Sequence, residues 1–355
     1  MAKRRLQEAI LAGQDIGIGD YDITNSFSKH KNASLLSKIP LSLDRWGIYS
    51  LQYDNDGKDL AVGFGNGGIC VVGSNKCTVV NDVTSGHRKG LAVMSLIYLK
   101  ENDKKLLSAG ANGKIYLWDL SRSQKSEAAA SLEEEGNEIS ALDISCDGKF
   151  FATAGKDRHI RIYDTNTFQL CCLMEAPDYI TMDDISIFSG HTKRVFALKC
   201  HPNDPNLFVT AGWDNCIKLW DRRILRSAKM SIPGPHVCGA GLDMSNNMVL
   251  SGSWSAKNAL QLWDLRSGLL DRNITYPHDE KAEGEFLYCA KFGVGDLVLA
   301  GGSGTNTACA INMTSNKMHR IIESPKPILT LDVCKSSKIM AVGGIGGNLQ
   351  LCALN

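Results

Sequence analysis

The sequence has few of the features that mark membrane, secreted or metal-binding proteins. Nowhere do about 18 uncharged apolar residues follow one another, so no transmembrane helix is predicted. The first residues carry Lys3, Arg4, Arg5 and Glu8 but no apolar stretch of signal-peptide length. The 12 cysteines include no C-x-x-C pair, which argues against a structural zinc site. We therefore expect an intracellular protein, cytoplasmic or nuclear, with reduced thiols.

Neither sign of charge dominates the chain. Its 39 Lys and Arg residues balance 38 Asp and Glu residues, leaving a formal net charge of +1. Such a chain has no overall field that attracts nucleic acid or an anionic membrane, so neither is an expected partner. Charged residues at 22% and hydrophobic residues at 43% are ordinary for a globular protein and exclude a largely disordered chain.

Prolines are also scarce, numbering 9, whereas the chain has 34 glycines. Glycine permits tight turns and close approach of backbones, so this composition favours an all-β fold with many hairpins. A length of 355 residues fits either two or three domains or one large repeat architecture.

A short motif of small residues recurs seven times and supports the repeat architecture. Each copy is followed by a turn and a short strand of alternating residues. The spacing of the copies clusters near the ~40–45 residues of a four-stranded propeller blade. The copies are residues 61–63, 108–110, 153–155, 210–212, 251–253, 300–302 and 342–344.

Trp-Asp pairs close the following strand in three of the repeats, at Trp118, Trp220 and Trp263, and Tyr163-Asp164 takes their place in a fourth. Together with Gly190-His191, these motifs resemble the WD-repeat β-propeller family. The resemblance covers residues 33–355 and is weakest in blades one, six and seven. It implies an all-β, seven-bladed WD-repeat β-propeller. The preceding residues 1–32 are interpreted as an N-terminal extension that forms a short helix or a mobile tail.

Closure of the ring needs one more strand. The sequence ends at Asn355, just after the third strand of blade seven, and an unpaired strand edge is unfavourable. We predict that residues 33–39 complete the last blade, as is usual for the family.

Two motifs that suggest ligand binding fit hairpin turns better. Residues 63–68 match G-x-G-x-x-G, but a strand follows them where a dinucleotide site needs a helix. Residues 54–57 resemble the start of a calcium loop, but Gly63 stands where that loop needs a bidentate Glu. We predict no cofactor and no metal.

Blade four contains the residue types of a hydrolytic triad. In WD-repeat proteins the matching positions form a hydrogen-bonded structural tetrad, so the resemblance implies stability and no catalysis, and we expect the protein not to be an enzyme. Blades two and three contain partial sets, and blade four alone is expected to be complete. The predicted tetrad is His191, Thr210, Asp214 and Trp220; the partial sets are Ser108, Asn112 and Trp118, and Thr153, Asp157 and Tyr163.

One turn position per blade is expected to face the mouth of the channel, and the starts of the innermost strands lie near it. Interface centres are enriched in aromatic residues, which favours a binding surface here. The alternative is that these rings pack over neighbouring loops or between blades. The turn position holds Phe64, Ala111, Lys156, Trp213, Trp254, Ser303 and Ile345, and the strand starts hold Tyr49, Phe196 and Tyr288.

Residues 208–223 look like the W-D-x-R box of substrate receptors that dock on the adaptor of cullin-type ubiquitin ligases. Residues 263–266 repeat its ending. The resemblance implies docking on the face opposite the mouth, whereas such arginines also brace the blade in many WD-repeat proteins. The docking candidates are Asp221, Arg223, Asp264 and Arg266.

The sequence thus predicts a non-catalytic protein-interaction scaffold, monomeric within a larger complex, with a substrate receptor of a cullin-type ligase as the alternative. Two stretches that break the repeat spacing, residues 123–136 and 175–184, are interpreted as projecting loops.

Overall fold

The seven repeats form seven antiparallel four-stranded sheets, the blades of a β-propeller. The computed structural model describes residues 35–40, 43–74, 77–83, 86–87, 89–121, 128–175, 190–224, 227–277 and 284–354. The first strand of each complete blade is innermost, since these strands contact their counterparts in the neighbouring blades. The all-β, seven-bladed prediction is confirmed.

The strands of the first four blades run outward from the channel in chain order. Blade one has β2 (Ile48–Tyr53), β3 (Asp59–Phe64), β4 (Ile69–Gly73) and β5 (Thr78–Val83); blade two has β6 (Val93–Leu99), β7 (Asn102–Gly110), β8 (Lys114–Asp119) and β9 (Ala128–Glu133); blade three has β10 (Ile139–Ile144), β11 (Phe150–Gly155), β12 (Ile160–Asp164) and β13 (Leu170–Met174); blade four has β14 (Val195–Cys200), β15 (Leu207–Gly212), β16 (Cys216–Asp221) and β17 (Met230–Pro233).

The remaining blades repeat this order, and a 3-10 turn, Leu43–Arg45, precedes blade one. Blade five has β18 (Leu242–Ser245), β19 (Met248–Gly252), β20 (Leu260–Asp264) and β21 (Leu269–Ile274); blade six has β22 (Leu287–Phe292), β23 (Leu297–Gly302), β24 (Thr307–Asn312) and β25 (Lys317–Glu323); blade seven has β26 (Ile328–Cys334), β27 (Ile339–Gly344) and β28 (Asn348–Ala353), with β1 (Leu35–Pro40) outermost.

The core consists of apolar layers between adjacent blades. The aromatic residue that closes a third strand packs against the sheet of the preceding blade, as Trp220 does against Ala152 and Ile162. Middle strands are therefore buried on both faces, whereas outer strands such as β21 are mostly exposed. No helix in the described part of the chain is long and apolar enough to cross a membrane.

Strand β1 closes the ring, as predicted. It pairs antiparallel with β28, placing Ile39 opposite Leu349 and Lys38 opposite Gln350. The strand extends to Pro40, one residue beyond the predicted end. Residues 1–34, including the predicted extension, lie outside the described residues.

The prediction of a loop over residues 123–136 was wrong in its second half. Residues 128–133 form β9, which pairs with β8 and places Ala130 opposite Leu117. An outer strand buries little of its surface, so a run of alanines suffices and leaves no hydrophobic alternation to detect. Residues 122–127 and 176–184 lie outside the described residues.

Five consecutive inner strands carry charges of alternating sign at one register position, a set called here the channel ring. Lys199 contacts Asp143 at 3.6 Å, and Lys291 contacts Asp332. Burial opposes the charge of Lys199, but the nearby carboxylates raise its pKa above the ordinary value. The channel ring consists of Asp143, Lys199, Asp243, Lys291 and Asp332.

The aspartates of the channel ring also join blades. Each accepts a hydrogen bond from a backbone N–H in the inner strand of the next blade, and these bonds are 2.6–2.8 Å long. Asp332 of blade seven bonds to the N–H of Tyr53 in blade one. The ring is thus closed twice, by β1 outside and by Asp332 at the channel.

We expect closure by β1 to contribute measurably to stability. Ile39 packs into the core shared by blades one and seven, so Ile39→Asp should lower the free energy of unfolding in urea by about 2 kcal/mol. Lys38→Asp, on the exposed side of the same strand, should change it by less than about 0.5 kcal/mol. Equal effects of the two substitutions would show that the closing strand is not held by its buried face.

Candidate functional site

The face at the second-to-third-strand turns, called here the mouth face, carries a funnel of about 840 Å³ at the end of the channel. Loops that connect successive blades form the rest of its wall. Most of the exposed wall is apolar, which favours a ligand with an apolar group. The wall includes Trp46, Tyr49, Phe196, Cys238, Tyr288 and Ile345.

The structure contradicts the prediction that Phe64 faces the mouth, since its exposed fraction is 0%. Ile48 lies opposite Phe64, as Val195 lies opposite Gly212, so the repeat alignment in blade one was one residue off. Gly65 holds the turn position instead. Phe64 packs in the core beneath the guanidinium of Arg45, 4.6 Å from the ring centre.

Trp213 lies at the mouth but is half-buried by its surroundings. Its ring centre lies 4.9 Å from that of Phe196 and 6.5 Å from that of His236, whose ring is parallel to it. The indole N–H donates to the Cys238 sulfur at 3.1 Å. Trp213 therefore packs over the loop that leads into the next blade. Phe196, beneath it, is 3% exposed and shapes the wall without offering much contact area.

Three other predicted aromatic residues keep accessible surface near the mouth. Trp254 is 40% exposed and its ring lies 4.9 Å from that of Phe286. Tyr49 and Tyr288 line the funnel, and burial raises the pKa of both phenols, so they stay uncharged. These side chains can supply flat apolar contact with polar edges.

Trp46 is the most exposed tryptophan at the funnel, and the sequence interpretation missed it. It is 57% exposed, lies over Gly90 and has a left-handed backbone with φ of 59°. That conformation is unfavourable for a bulky residue and must be held by the loop around it. Trp46 belongs to the loop before blade one rather than to the repeated turn, so comparing turns could not find it.

The predicted mouth residue Lys156 belongs to a chain of charges. Its Nζ lies 2.8 Å from Glu138, which also binds the Arg194 guanidinium at 2.9 Å. Burial opposes ionisation of Glu138, but these two cations lower its pKa below the ordinary value. Arg194 in turn donates to Ser140 at the funnel wall.

The four tetrad residues of blade four form one hydrogen-bonded chain. Trp220 Nε1 donates to Thr210 Oγ1 at 2.7 Å, and that oxygen lies 2.6 Å from His191 Nε2. His191 Nδ1 lies 2.7 Å from Asp214. The Thr210 hydroxyl is fully buried and bonded to both Trp220 and His191, so it is not accessible to a substrate.

Blade two also has a complete tetrad, so the prediction that blade four alone is complete was wrong. His87 lies 2.8 Å from Ser108 and 2.9 Å from Asn112, and Trp118 donates to Ser108 at 2.8 Å. The dipeptide Gly86-His87 repeats Gly190-His191 and could have been found in the sequence. Burial lowers the pKa of His87 to about 4, although Asn112 partly opposes the shift.

Blade three replaces the histidine with a buried carboxylate, Glu134. Thr153 donates to it at 2.5 Å, Tyr163 at 3.0 Å and Arg161 at 3.2 Å. Asp157, predicted as a tetrad member, pairs instead with Arg161 at 2.6 Å. A glutamate in place of histidine keeps the acceptor but adds a charge, which Arg161 balances.

On the face opposite the mouth, each docking candidate has a partner within its own blade. Arg223 donates from Nε and Nη2 to the buried Asp221 at 2.8 and 2.6 Å, yet its side chain is 63% exposed. The backbone N–H of Arg266 donates to Asp264 at 2.9 Å. The guanidinium of Arg266 lies 3.1 Å from the amide oxygen of Asn247. These bonds brace both turns.

Thr210→Val should lower the free energy of unfolding by about 3 kcal/mol, because it leaves two buried groups, His191 Nε2 and the Trp220 N–H, without a partner. In blade five, Ser251 bonds to the Trp263 N–H alone among the described residues. Ser251→Ala should therefore cost only about 1–2 kcal/mol. Urea unfolding of both variants tests this order, and a larger loss for Ser251→Ala would contradict it.

The pH dependence of stability should include a contribution from His87. Its pKa is about 4 in the folded protein against 6.5 when unfolded, so the unfolded chain binds the extra proton between these values. The contribution of His87 to the free energy of unfolding is fully present above pH 6.5. It decreases by up to about 3 kcal/mol as the pH drops to 4. His87→Gln cannot titrate, so its unfolding free energy should fall less over this window. Parallel pH profiles would contradict the assignment.

Three stretches of the chain match the family described as "WD domain, G-beta repeat": residues 77–119, 128–164 and 182–221. They correspond to blades two to four, where the tetrads are best formed. The family model therefore matches the blades in which the hydrogen-bonded sets of buried polar side chains have the most members.

Curated relatives share modest identity with the chain. The B-type cell cycle switch protein ccs52B of Medicago truncatula is 22% identical over 70% of this chain and 46% of its own length. The target of rapamycin complex subunit wat1 of Schizosaccharomyces pombe is 30% identical over 37% of this chain and 36% of its own length. Cell division cycle 20.5, cofactor of APC complex, of Arabidopsis thaliana is 28% identical over 65% and 49%.

The chain thus spans less than half the length of these relatives. The matched repeats, the seven four-stranded blades and the hydrogen-bonded tetrads agree with one another. On these grounds the chain belongs to the WD-repeat β-propeller family.

Proposed function

We propose that the protein is a non-catalytic interaction scaffold that binds a peptide or protein segment at the funnel of the mouth face. The WD-repeat propeller is typically an interaction module, and this chain has that architecture. The observation that carries the proposal is the exposure of Trp46, which lines a large apolar funnel, and of Trp254, which contacts the funnel residue Tyr288.

Exposure of these two tryptophans to solvent is unfavourable in the unbound protein and would be relieved by a partner. A large apolar ring in water is unfavourable, and the left-handed backbone at Trp46 adds strain, so neither ring is explained by folding alone. Covering them with a partner would bury substantial apolar area at low entropic cost, since tryptophan has few rotatable bonds. The blades hold the surrounding wall rigidly, which favours binding of a preformed shape.

The names of two relatives support a role in an assembly. One is called a subunit of the target of rapamycin complex and another a cofactor of the APC complex. Both names describe proteins that work within larger complexes. A monomeric propeller that joins partners in a larger complex is therefore our proposal for this chain.

A second candidate is docking to the adaptor of a cullin-type ubiquitin ligase, for which the specific observation is the exposure of Arg223. Its guanidinium already binds Asp221 through two nitrogens, and the third, Nη1, remains to donate to a partner on the face opposite the mouth. An arginine whose fork is preorganised in this way loses little entropy on binding.

Affinity capture from cell extract followed by quantitative mass spectrometry tests both candidates. We expect Trp46→Ala/Trp254→Ala to lose its partners by more than about tenfold, since buried aromatic residues dominate interface energy. Leu269→Ala is the control, because it removes an even more exposed apolar side chain from an outer strand away from the funnel. Arg223→Ala/Arg266→Ala should retain the partners bound at the funnel.

The same experiment separates the outcomes, provided that every variant unfolds at the temperature of the wild type. Loss of a ligase adaptor in the arginine variant alone would support the second candidate. Identical partner sets for the wild type and the tryptophan variant would overturn binding at the funnel.

A further inference from the structure

We propose that the segment bound at the funnel is acidic and inserts one apolar or aromatic side chain. The inference rests on the proposed function and adds the chemistry of the partner. It follows from the charged side chains around the funnel. The one described carboxylate that lines the funnel is held in ion pairs, whereas three lysines near it have no ion pair among the described residues.

Three lysines surround the funnel from three different inter-blade loops. Lys326 lines it directly, whereas Lys89 and Lys193 adjoin the lining residues Gly90 and Arg194. Lys89 and Lys193 are exposed and Lys326 is half-buried. None of the three has an ion pair within the described part of the chain. We call them the rim lysines.

The position of Lys193 is supported by its effect on a neighbour. Burial lowers the pKa of His236, and the charge of Lys193 lowers it further. His236 stacks on Trp213 at the mouth, so Lys193 lies on the mouth face close to the aromatic surface.

The described acids nearest the funnel and its aromatic residues are held in ion pairs. Glu138 is the one carboxylate of the described residues that lines the funnel, and Lys156 and Arg194 hold it. Asp157 pairs with Arg161, and Asp214 with His191. Four other acids are exposed but neither line the funnel nor adjoin a lining residue: Asp44, Glu135, Glu175 and Glu323. Among the described residues, the rim therefore has an excess of unpaired positive charge, although the chain as a whole is nearly neutral.

This arrangement favours one class of ligand. Positive charges at the rim of an apolar concavity attract carboxylates and repel a basic segment, while the apolar wall accepts an uncharged side chain. A nucleic acid is a less favoured ligand. Nucleic-acid sites place cations along a groove that follows the sugar-phosphate backbone, whereas the rim lysines belong to separate loops around the funnel. The observations favour an acidic peptide.

The test begins by selecting peptides that bind the full chain from a displayed library of random sequences. Peptides that also bind the Trp46→Ala/Trp254→Ala variant are removed, so that those retained bind at the funnel. We expect the selected sequences to be enriched in Asp and Glu around one apolar residue. A labelled peptide of this kind is then titrated by fluorescence anisotropy at low and high salt. Its affinity should fall with salt, because unpaired surface charges are screened.

Charge reversal tests whether the rim lysines themselves, rather than the net charge of the protein, attract the peptide. Lys89→Glu/Lys193→Glu/Lys326→Glu should weaken binding of the selected peptide by about tenfold or more. The matched control, Lys100→Glu/Lys317→Glu/Lys335→Glu, makes the same change in net charge on the opposite face, where all three lysines are exposed. It should change the affinity by less than about twofold.

The outcomes distinguish this inference from the proposed function. Basic or uncharged peptides that bind at the funnel, or equal effects of the two triple variants, would overturn the acidic chemistry and leave funnel binding intact. A single-stranded oligonucleotide that binds more tightly than the peptides and displaces them would overturn the peptide class. If every peptide that binds the wild type binds the Trp46→Ala/Trp254→Ala variant with the same affinity, both proposals would be overturned.

Discussion

The contact between blades one and seven is the constraint on which both the fold and the candidate site depend. The β1–β28 pairing and the bond from Asp332 to the Tyr53 N–H join the blades at the edge and at the channel. At the mouth their backbones almost touch, since a side chain on Gly47 would lie 3.0 Å from Ile345. Trp46 and Lys326 flank this seam, so the funnel is formed only when the ring is closed.

The architecture was predictable because the repeat imposes it. Each small-residue turn lies between two middle strands buried on both faces, and those strands have the clearest pattern in the sequence. Errors arose where burial is low or local sequence is ambiguous. Strand β9 escaped detection because it is mostly exposed and begins with a run of alanines. The turn of blade one was misaligned by one residue because glycines occupy positions 63, 65 and 67.

The candidate site was less predictable than the fold, because its properties come from contacts between blades. Nothing near Glu134 in the sequence indicates that it binds Thr153 and Tyr163, and nothing near Trp213 indicates that Phe196 and His236 enclose it. That the rim lysines have no ion pair among the described residues depends on which partners the described acids near the funnel find. Such features follow from the closed ring and not from any single repeat.

The direction of β1 has a consequence for how the propeller can be connected to other units. Because β1 runs antiparallel to β28, Leu35 lies opposite Cys352, at the end of blade seven remote from the mouth. Leu354, which follows β28, lies at that same end. Whatever is joined before Leu35 or after Leu354, whether a label, a surface linker or a fused domain, is attached on the side of Arg223. Immobilising the protein through either attachment point would leave the funnel facing the solution.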